Sequence, residues 1–296
     1  MELGGCEALR EVLSDRQVIL LAATAAEAEP LLAALLSPQT HVVATKTVYL
    51  GELGLREPGS PAAAPTGSAG SRAVPVALAI SGCDKANAAH ILTCLLQAMA
   101  PSTPRLVLQV GIAGAFLCPG PRLGAGIGDV VVATREAYSD TGSSSPEGWY
   151  SAADLGLPIA RVRGAELAGA FPLDEALVRA AATAIEATTW PGARPAVLVG
   201  PFVTASRATG RRDEAEALAL RWGALAESME GAAAAHVCAL YGAPFLEVRG
   251  VSNLVTDRDR ESWQVERAIA VAGRAALAVV AALDRLLLDG PRLDRG

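Results

Sequence analysis

The sequence contains few aromatic and few charged residues, and these shortages limit the classes of protein it can encode. Aromatic residues make up 4% and charged residues 19% of the 296 residues, whereas hydrophobic residues make up 51%. A chain of this length and apolar content can bury a substantial core, which excludes an intrinsically disordered protein. The formal net charge of −6 offers no general attraction for nucleic-acid phosphates. We therefore expect no nucleic-acid partner.

Metal-binding and disulfide patterns are also absent from the sequence. The five cysteines are odd in number, scattered and without CxxC spacing, and the three histidines share no metal-ligand spacing. We therefore expect free thiols in a reducing compartment, the cytoplasm, and no metal site. The cysteines are Cys6, Cys83, Cys94, Cys118 and Cys238.

Long apolar runs and nucleotide-binding fingerprints are missing as well. No basic segment precedes an apolar one at the amino terminus, and the longest apolar runs are too short, or too broken by glycine, to span a bilayer. No GxGxxG or GxxxxGKS/T segment marks a dinucleotide or triphosphate site. We expect no membrane contact and no bound cofactor.

Short apolar runs alternate with helical patterns, and this rhythm predicts an α/β fold. The continuous apolar run 17–23 is typical of a strand buried on both faces of a mainly parallel sheet. Residues 56–72 are rich in Pro, Gly, Ser and Ala and predict a flexible loop. We expect a single domain over residues 1–296, with a core over about 17–287. Further strands are predicted near 74–80, 105–110, 129–133, 196–199 and 244–249, and helices near 26–36, 86–99, 174–187, 213–221, 229–240 and 264–287.

Polar residues and glycines follow several of these apolar runs. Because ligand sites in α/β sheets lie beyond the carboxyl ends of strands, these clusters form the candidate site. The first cluster carries Glu27 and Glu29 near a helix start. The second begins with Ser81-Gly82, a turn that can offer backbone N–H groups and a hydroxyl. The third is a glycine-rich turn over residues 111–116.

The fourth cluster places one acid at the head of a helix of small residues and one amide just past a strand. The acid belongs to Ser228-Met229-Glu230, and the amide belongs to Ser252-Asn253. Each of the four clusters is a weak signal alone, but their combination and order are fairly specific.

Over roughly residues 18 to 285, the four clusters resemble those of the methylthioadenosine/adenosylhomocysteine nucleosidases and, more closely, of the futalosine hydrolases of bacterial menaquinone synthesis. Both groups belong to the nucleoside phosphorylase superfamily. The resemblance implies a single-domain, three-layer α/β fold with a central mixed, twisted sheet flanked by helices. It also implies hydrolysis of the N-glycosidic bond of a nucleoside, without a cofactor, by a homodimer or a higher homo-oligomer.

The resemblance implies a role for each matching residue. Glu27, with Ser81 and Arg249, matches the group that holds and activates the attacking water, although Glu29 is a rival for the base. A carboxylate suits this task because it can accept a proton as water adds to an oxocarbenium-like sugar. Met229 matches the residue that packs against the sugar, and Glu230 matches the acceptor for its 2′ and 3′ hydroxyls.

Asn253 occupies the position where the adenine-specific nucleosidases carry Asp. An amide offers N–H and C=O groups together, so Asn253 can donate toward N7 and the 6-oxo oxygen of hypoxanthine or guanine. Adenine would present its 6-amino group to the same donor, and mismatched buried polar pairs discriminate strongly. The residue therefore favours a 6-oxopurine nucleoside, and futalosine is one.

Other matching positions complete the expected substrate site, and two of them depart from the family pattern. Gly82, Gly114 and Ser252 are expected to bind substrate, as are backbone atoms near Arg207 and Ala208, which align with the base-binding loop. Arg207 stands where the adenine-specific enzymes have a stacking aromatic, and Asp84 stands where a second glycine is usual.

We expect water-driven cleavage of futalosine with release of hypoxanthine. The alternatives are a purine nucleoside phosphorylase, a methylthioadenosine-type nucleosidase and a non-catalytic nucleoside-binding protein. The charged run 257–261 is typical of a solvated loop, and it follows Asn253 closely enough to cap a pocket. No residue can be assigned to the 5′ substituent from the sequence.

Overall fold

The computed structural model describes residues 6–13, 16–56, 71–117, 124–162, 164–283 and 286. The predicted loop 56–72 therefore lies, apart from its two ends, outside the described residues, as does Cys118. The helices described are α1 (Cys6–Leu13), α2 (Ala25–Leu32), α3 (Lys85–Met99), α4 (Glu175–Glu186), α5 (Arg212–Trp222), α6 (Gly231–Tyr241) and α7 (Val265–Ala281), with a short 3-10 helix at Arg260–Ser262.

The strands described are β1 (Val18–Ala22), β2 (Leu35–Val43), β3 (Lys46–Arg56), β4 (Ser71–Ile80), β5 (Leu106–Phe116), β6 (Val130–Tyr138), β7 (Gly142–Ser145), β8 (Gly148–Ser151), β9 (Ala160–Val162), β10 (Ala165–Leu167), β11 (Ala170–Pro172), β12 (Val197–Thr204), β13 (Ala226–Ser228) and β14 (Phe245–Val255).

A central ten-stranded mixed sheet carries the fold. Its order is β11-β6-β12-β13-β5-β1-β4-β3-β2, and β14 pairs with both β5 and β6. These pairings close a ring of five strands, β6, β12, β13, β5 and β14. The parallel strands β1, β5 and β14 end on the same edge of the sheet, where a ligand site is expected.

Strand β1 is buried on both faces because helices cover both sides of the sheet around it. Val18 and Leu20 of β1 pack into one core with α2, α4 and α7, whereas Ile19 and Leu21 pack into a second core with α1, α3 and α6. This alternation follows from the two-residue period of a strand. The expected three-layer α/β fold with a mixed sheet flanked by helices is confirmed.

The helix predicted over 26–36 is too long. α2 ends at Leu32, and Leu35 is a buried residue at the start of β2, which pairs with β3. The leucine pattern alone does not show where the helix ends and the strand begins. Only the pairing of Leu35 with a distant segment assigns it to a strand. The strands β2 and β3 were not predicted for the same reason.

The glycine-rich segment 111–116 was predicted to be a turn, and this prediction is wrong, because the segment forms the second half of β5. Position 111 of this strand requires a glycine, because a Cβ there would clash with the Glu27 carboxylate, which packs directly against the backbone. Asn253, expected just past a strand, lies within β14, next to a register shift after Val251. The glycine at position 111 thus allows a side chain to approach the backbone closely and does not indicate a reversal of the chain.

Two carboxyl groups are buried side by side beneath the start of α6. Glu136 of β6 and Glu247 of β14 are both fully buried, and Glu136 Oε1 and Glu247 Oε2 have no hydrogen-bond donor. A Cβ on Gly231 would clash with both of these oxygens, so they lie close together. Burial, followed by the charge of Glu247, raises the pKa of Glu136 well above its ordinary value. A proton on Glu136 lets one oxygen donate to the other.

In the part of the chain described, no helix is both long and apolar enough to cross a membrane. Within the same residues, no group of three or more His, Cys, Asp or Glu side chains is arranged to hold a metal ion.

We expect Glu136→Gln to make thermal stability less dependent on pH. A raised folded-state pKa means that Glu136 stabilises the fold fully below about pH 4.3, and that this contribution is lost as pH rises through the folded-state pKa. The amide cannot lose a proton, and it can still accept from Thr204 and donate to Glu247. The melting temperature of the variant should therefore exceed that of the wild type increasingly as pH rises, by about 2–4 °C per kcal/mol. A difference that is constant between about pH 5 and pH 9 would contradict the shared proton.

Candidate active site

A cavity of about 300 Å³ opens at the carboxyl ends of β1, β5 and β14. It brings together predicted residues from five separate segments of the chain. The predicted residues that line it are Glu27, Gly114, Ala208, Met229, Glu230, Arg249, Ser252 and Asn253. The other lining residues include Thr24, Cys83, Ile112, Thr209, Glu227, Arg258 and Trp263.

Glu27 is held at the cavity wall by backbone and side-chain donors. It forms a capping box with Thr24, whose backbone N–H and hydroxyl donate to Glu27 Oε2 at 3.0 and 2.9 Å. The backbone N–H of Ile112 donates to Oε1 at 2.9 Å, and Arg249 Nη1 lies 4.0 Å from the same oxygen. Glu27 is only 6% exposed. The carboxylate is thus fixed in orientation and still has acceptor capacity toward the cavity.

The two other candidates near Glu27 do not reach the cavity. Glu29 is exposed and is not part of the cavity wall. Ser81 is fully buried, and its hydroxyl lies within hydrogen-bonding distance of the carbonyls of Ala22 and Gly82, at 3.3 and 2.8 Å. Gly82 has a positive φ of +83° and packs against Lys46 and Asn87. The Ser81-Gly82 turn thus lies beside the site rather than on its wall.

Arg249 is the central cation of the site. It is 1% exposed, and its Nε donates to Glu247 Oε1 at 2.8 Å while its Nη2 donates to Glu230 Oε2 at 3.2 Å. Its Nη1 donates to the carbonyl of Ile112 at 3.2 Å. Burial lowers the pKa of Arg249, but the charges of Glu247, Glu230 and Glu27 together raise it above its ordinary value. The guanidinium is therefore permanently charged and fixed by fork-like contacts.

Glu230 lies at the N-cap position of α6 and is 3% exposed. Its Oε2 accepts from Arg249, and its Oε1 accepts from the backbone N–H of Asp84 at 3.1 Å. Burial raises the pKa of Glu230, and the charge of Arg249 opposes this shift. Asp84 adopts a φ of +82°, in the region that favours glycine, which explains why a glycine is usual at this position.

Asn253 is oriented by its neighbour on β14. The Ser252 hydroxyl donates to Asn253 Oδ1 at 2.7 Å, and Asn253 Nδ2 donates to the carbonyl of Leu254 at 3.2 Å. This leaves the second N–H of Nδ2 for a ligand. Nδ2 lies over Gly114, at 3.1 Å from the position that a Cβ would occupy there. The amide therefore presents a donor to the cavity.

The loop between β12 and α5 contributes only in part as expected. Ala208 lines the cavity, whereas the Arg207 side chain forms an ion pair with Glu214 outside it. The charged run after Asn253 adds Arg258 to the cavity wall, and the Arg258 guanidinium carbon lies 4.9 Å from the centre of the Trp263 ring.

Several residues that line the cavity were not predicted from the sequence to belong to the site. The T-x-x-E spacing of Thr24 and Glu27 is itself a capping-box signature that was available. Glu227 directly precedes the Ser228-Met229-Glu230 segment but reads there as an ordinary acid. Trp263 is ten residues beyond Asn253, and no local pattern links it to the site.

A second cavity of about 430 Å³ lies elsewhere, between the start of α4 and the end of α6. It holds none of the predicted site residues, and its wall is largely apolar, with Asp174 as its one carboxylate among the described residues. The smaller cavity, with its converging polar groups, is therefore the candidate active site.

A family model and individual protein sequences both match this chain, and they point to the same superfamily. The model of the Phosphorylase superfamily matches residues 17–288. A futalosine hydrolase of Streptomyces coelicolor is 38% identical over 167 residues, which cover 56% of this chain and 60% of that protein. A futalosine hydrolase of Thermus thermophilus is 34% identical over 202 residues, covering 68% of this chain and 79% of that protein. The match to the Streptomyces protein thus spans less than two thirds of its length.

Comparison with solved structures agrees on the fold. The 5′-methylthioadenosine/S-adenosylhomocysteine nucleosidase of Neisseria meningitidis, in complex with methylthio-immucillin-A, superimposes with a TM-score of 0.69. That match covers 90% of this chain and 98% of the other at 24% identity. The resemblance inferred from the four sequence clusters is confirmed, and the chain belongs to the Phosphorylase superfamily.

Proposed function

We propose that the protein hydrolyses the N-glycosidic bond of futalosine and releases hypoxanthine. The observation that carries the proposal is the convergence of Glu27, Glu230 and Asn253, from three distant parts of the chain, on one cavity. These are an acceptor for a water proton, an acceptor for sugar hydroxyls and a donor for a leaving base. The names of the Streptomyces and Thermus relatives support the choice of futalosine among purine nucleosides.

In the proposed reaction, water attacks the anomeric carbon as the bond to the base nitrogen breaks. The water oxygen bonds to the anomeric carbon of the oxocarbenium-like sugar, and Glu27 takes a proton from this water. The product is a neutral sugar with a hydroxyl on the anomeric carbon. The water lies between Glu27 and Arg249, whose Nη1 is 4.0 Å from Glu27 Oε1. Ser81 is fully buried and is not part of the cavity wall, so in the proposed reaction the water contacts Glu27 and Arg249 but not Ser81.

The departing hypoxanthine carries away the electron pair of the broken bond. Asn253 Nδ2 donates to its N7 and 6-oxo edge, where the negative charge accumulates, and solvent then protonates the base. Glu230 accepts from the 2′ and 3′ hydroxyls of the ribose, and Met229 packs against the ring. Arg249 holds Glu230 ionised and in place, which counteracts the effect of burial on its pKa.

The proposal is tested by incubating the purified protein with futalosine, aminodeoxyfutalosine, inosine and methylthioadenosine, with and without phosphate. We expect hypoxanthine release from futalosine that does not depend on phosphate. Release that requires phosphate would indicate a phosphorylase, and adenine release from methylthioadenosine in preference would indicate the other nucleosidase. Binding without release would indicate a nucleoside-binding protein.

We expect Glu27→Gln to bind nucleoside but to lose turnover by about 10²–10⁴-fold, because the amide cannot accept the water proton. The measurement is kcat for futalosine by absorbance, together with hypoxanthine affinity by calorimetry. Glu29→Gln is the matched control, because Glu29 lies on the same helix and is exposed. Wild-type turnover in Glu27→Gln, or an equal loss in Glu29→Gln, would refute the assignment of the base.

We expect Asn253→Asp to lower the preference for futalosine over aminodeoxyfutalosine by about 10–100-fold. An ionised carboxylate at this position repels the 6-oxo oxygen, whereas it accepts from the 6-amino group of adenine. The ratio of kcat/KM values for the two substrates checks this, since a general loss of active protein cancels from a ratio. An unchanged ratio would show that Asn253 does not contact the base.

We further propose, from the family resemblance alone, that the enzyme acts in menaquinone synthesis as a cytoplasmic homodimer or higher homo-oligomer. The oligomeric state is measured by light scattering coupled to size-exclusion chromatography.

A further inference from the structure

One buried carboxylate on the cavity wall has no part in the reaction described above. Glu227 of β13 is 7% exposed and lines the cavity. It lies directly opposite Gly114 of β5. Asn253 of β14 lies opposite the same glycine on the other side of β5. The residue with no side chain is thus flanked by an acid and an amide that both reach the same cavity.

The distances across these three strands suit a purine ring. Neighbouring strands lie about 4.8 Å apart, so the backbones of Glu227 and Asn253 are about 10 Å apart across Gly114. A Cβ at Gly114 would lie 2.7 Å from Val255 Cγ2 and 3.1 Å from Asn253 Nδ2. Glycine therefore lets Asn253 and Val255 pack closely over β5, next to the strand that carries Glu227.

The Glu227 carboxylate is oriented by Thr209. The backbone N–H of Thr209 donates to Oε1 at 2.8 Å, and its hydroxyl donates to Oε2 at 2.5 Å. Burial raises the pKa of Glu227, while these two hydrogen bonds from Thr209 oppose the shift. Two donors occupy only part of the acceptor capacity of a carboxylate, so lone pairs remain for a ligand N–H.

We propose that Glu227 is the residue that reads N1 of the base, by accepting the N1–H of a 6-oxopurine while Asn253 donates to the adjacent 6-oxo and N7 edge. The inference rests on the proposed function and deepens it. Hypoxanthine carries a hydrogen on N1, next to an acceptor oxygen on C6. Adenine has a bare N1 lone pair, next to a donor on C6, so it places an acceptor against the carboxylate. Glu227 and Asn253 together thus select the 6-oxopurine at two neighbouring atoms.

The alternative is that Glu227 only braces the loop that carries Ala208 and Thr209. The two roles differ in what they predict for a pair of substrates that are identical except at N1 and C6. Futalosine and aminodeoxyfutalosine are such a pair. A loop brace affects both substrates alike, whereas an N1 contact changes their ratio.

The variant that separates these roles is Glu227→Gln. Its amide oxygen stays with the Thr209 N–H, so its NH₂ group takes the place of Oε2 and presents a donor to N1. We expect the ratio of kcat/KM for futalosine over aminodeoxyfutalosine to fall by about 10–100-fold. Glu216→Gln is the control, because Glu216 is an exposed acid on α5, and its ratio should remain that of the wild type. A parallel loss for both substrates in Glu227→Gln would overturn the proposal.

A measurement on the wild-type protein applies even if the variant does not fold. Hypoxanthine labelled with ¹⁵N at N1 is bound to the protein and observed by NMR. We expect an N1–H proton that is shifted downfield and protected from exchange, because it is bonded to a buried carboxylate. An N1–H signal like that of the free base would overturn the proposal. If this signature appears but futalosine is not hydrolysed, the proposed function fails and the base contact stands.

Discussion

The buried guanidinium of Arg249 is the interaction on which the site depends. It is surrounded by acids that would repel one another if they were buried without it, and its fixed fork sets the directions in which Glu230 and Glu247 point. Glu136 adds a fourth carboxyl behind this group and is accommodated because burial favours its neutral form. One cation therefore allows several acids to remain inside an apolar sheet, and two of them, Glu27 and Glu230, face the cavity.

Backbone geometry supplies the second constraint. Gly111 lets Glu27 pack against β5, Gly114 lets Asn253 and Val255 pack over the same strand, and Gly231 makes room for the buried carboxyl pair. Each of these glycines is placed where a side chain or ligand must approach the chain closely. The geometry of the site thus depends on the lack of side chains at these positions of β5 and α6 as well as on the polar groups around them.

Much of the fold could be predicted because its signals are local. Residues 18–22 are all apolar since β1 is buried on both faces, and α3, α4 and α5 begin and end within two residues of the predicted bounds. The errors occurred where a distant segment decides the structure. Leu35 belongs to β2 only because β3 pairs with it, and residues 111–116 remain a strand only because β13 and β14 lie on either side.

Residue types and their order along the chain were enough to predict the α/β class, the superfamily resemblance and five polar residues of the cavity wall, namely Glu27, Glu230, Arg249, Ser252 and Asn253. Only the tertiary structure shows that Glu27 and Glu227 line the cavity, whereas Glu29 is exposed and Ser81 is buried beside the site. Exposure and strand register settle such questions, and both arise from contacts between segments far apart in sequence. The register that places Glu227 and Asn253 on either side of Gly114 is set by backbone hydrogen bonds across β5.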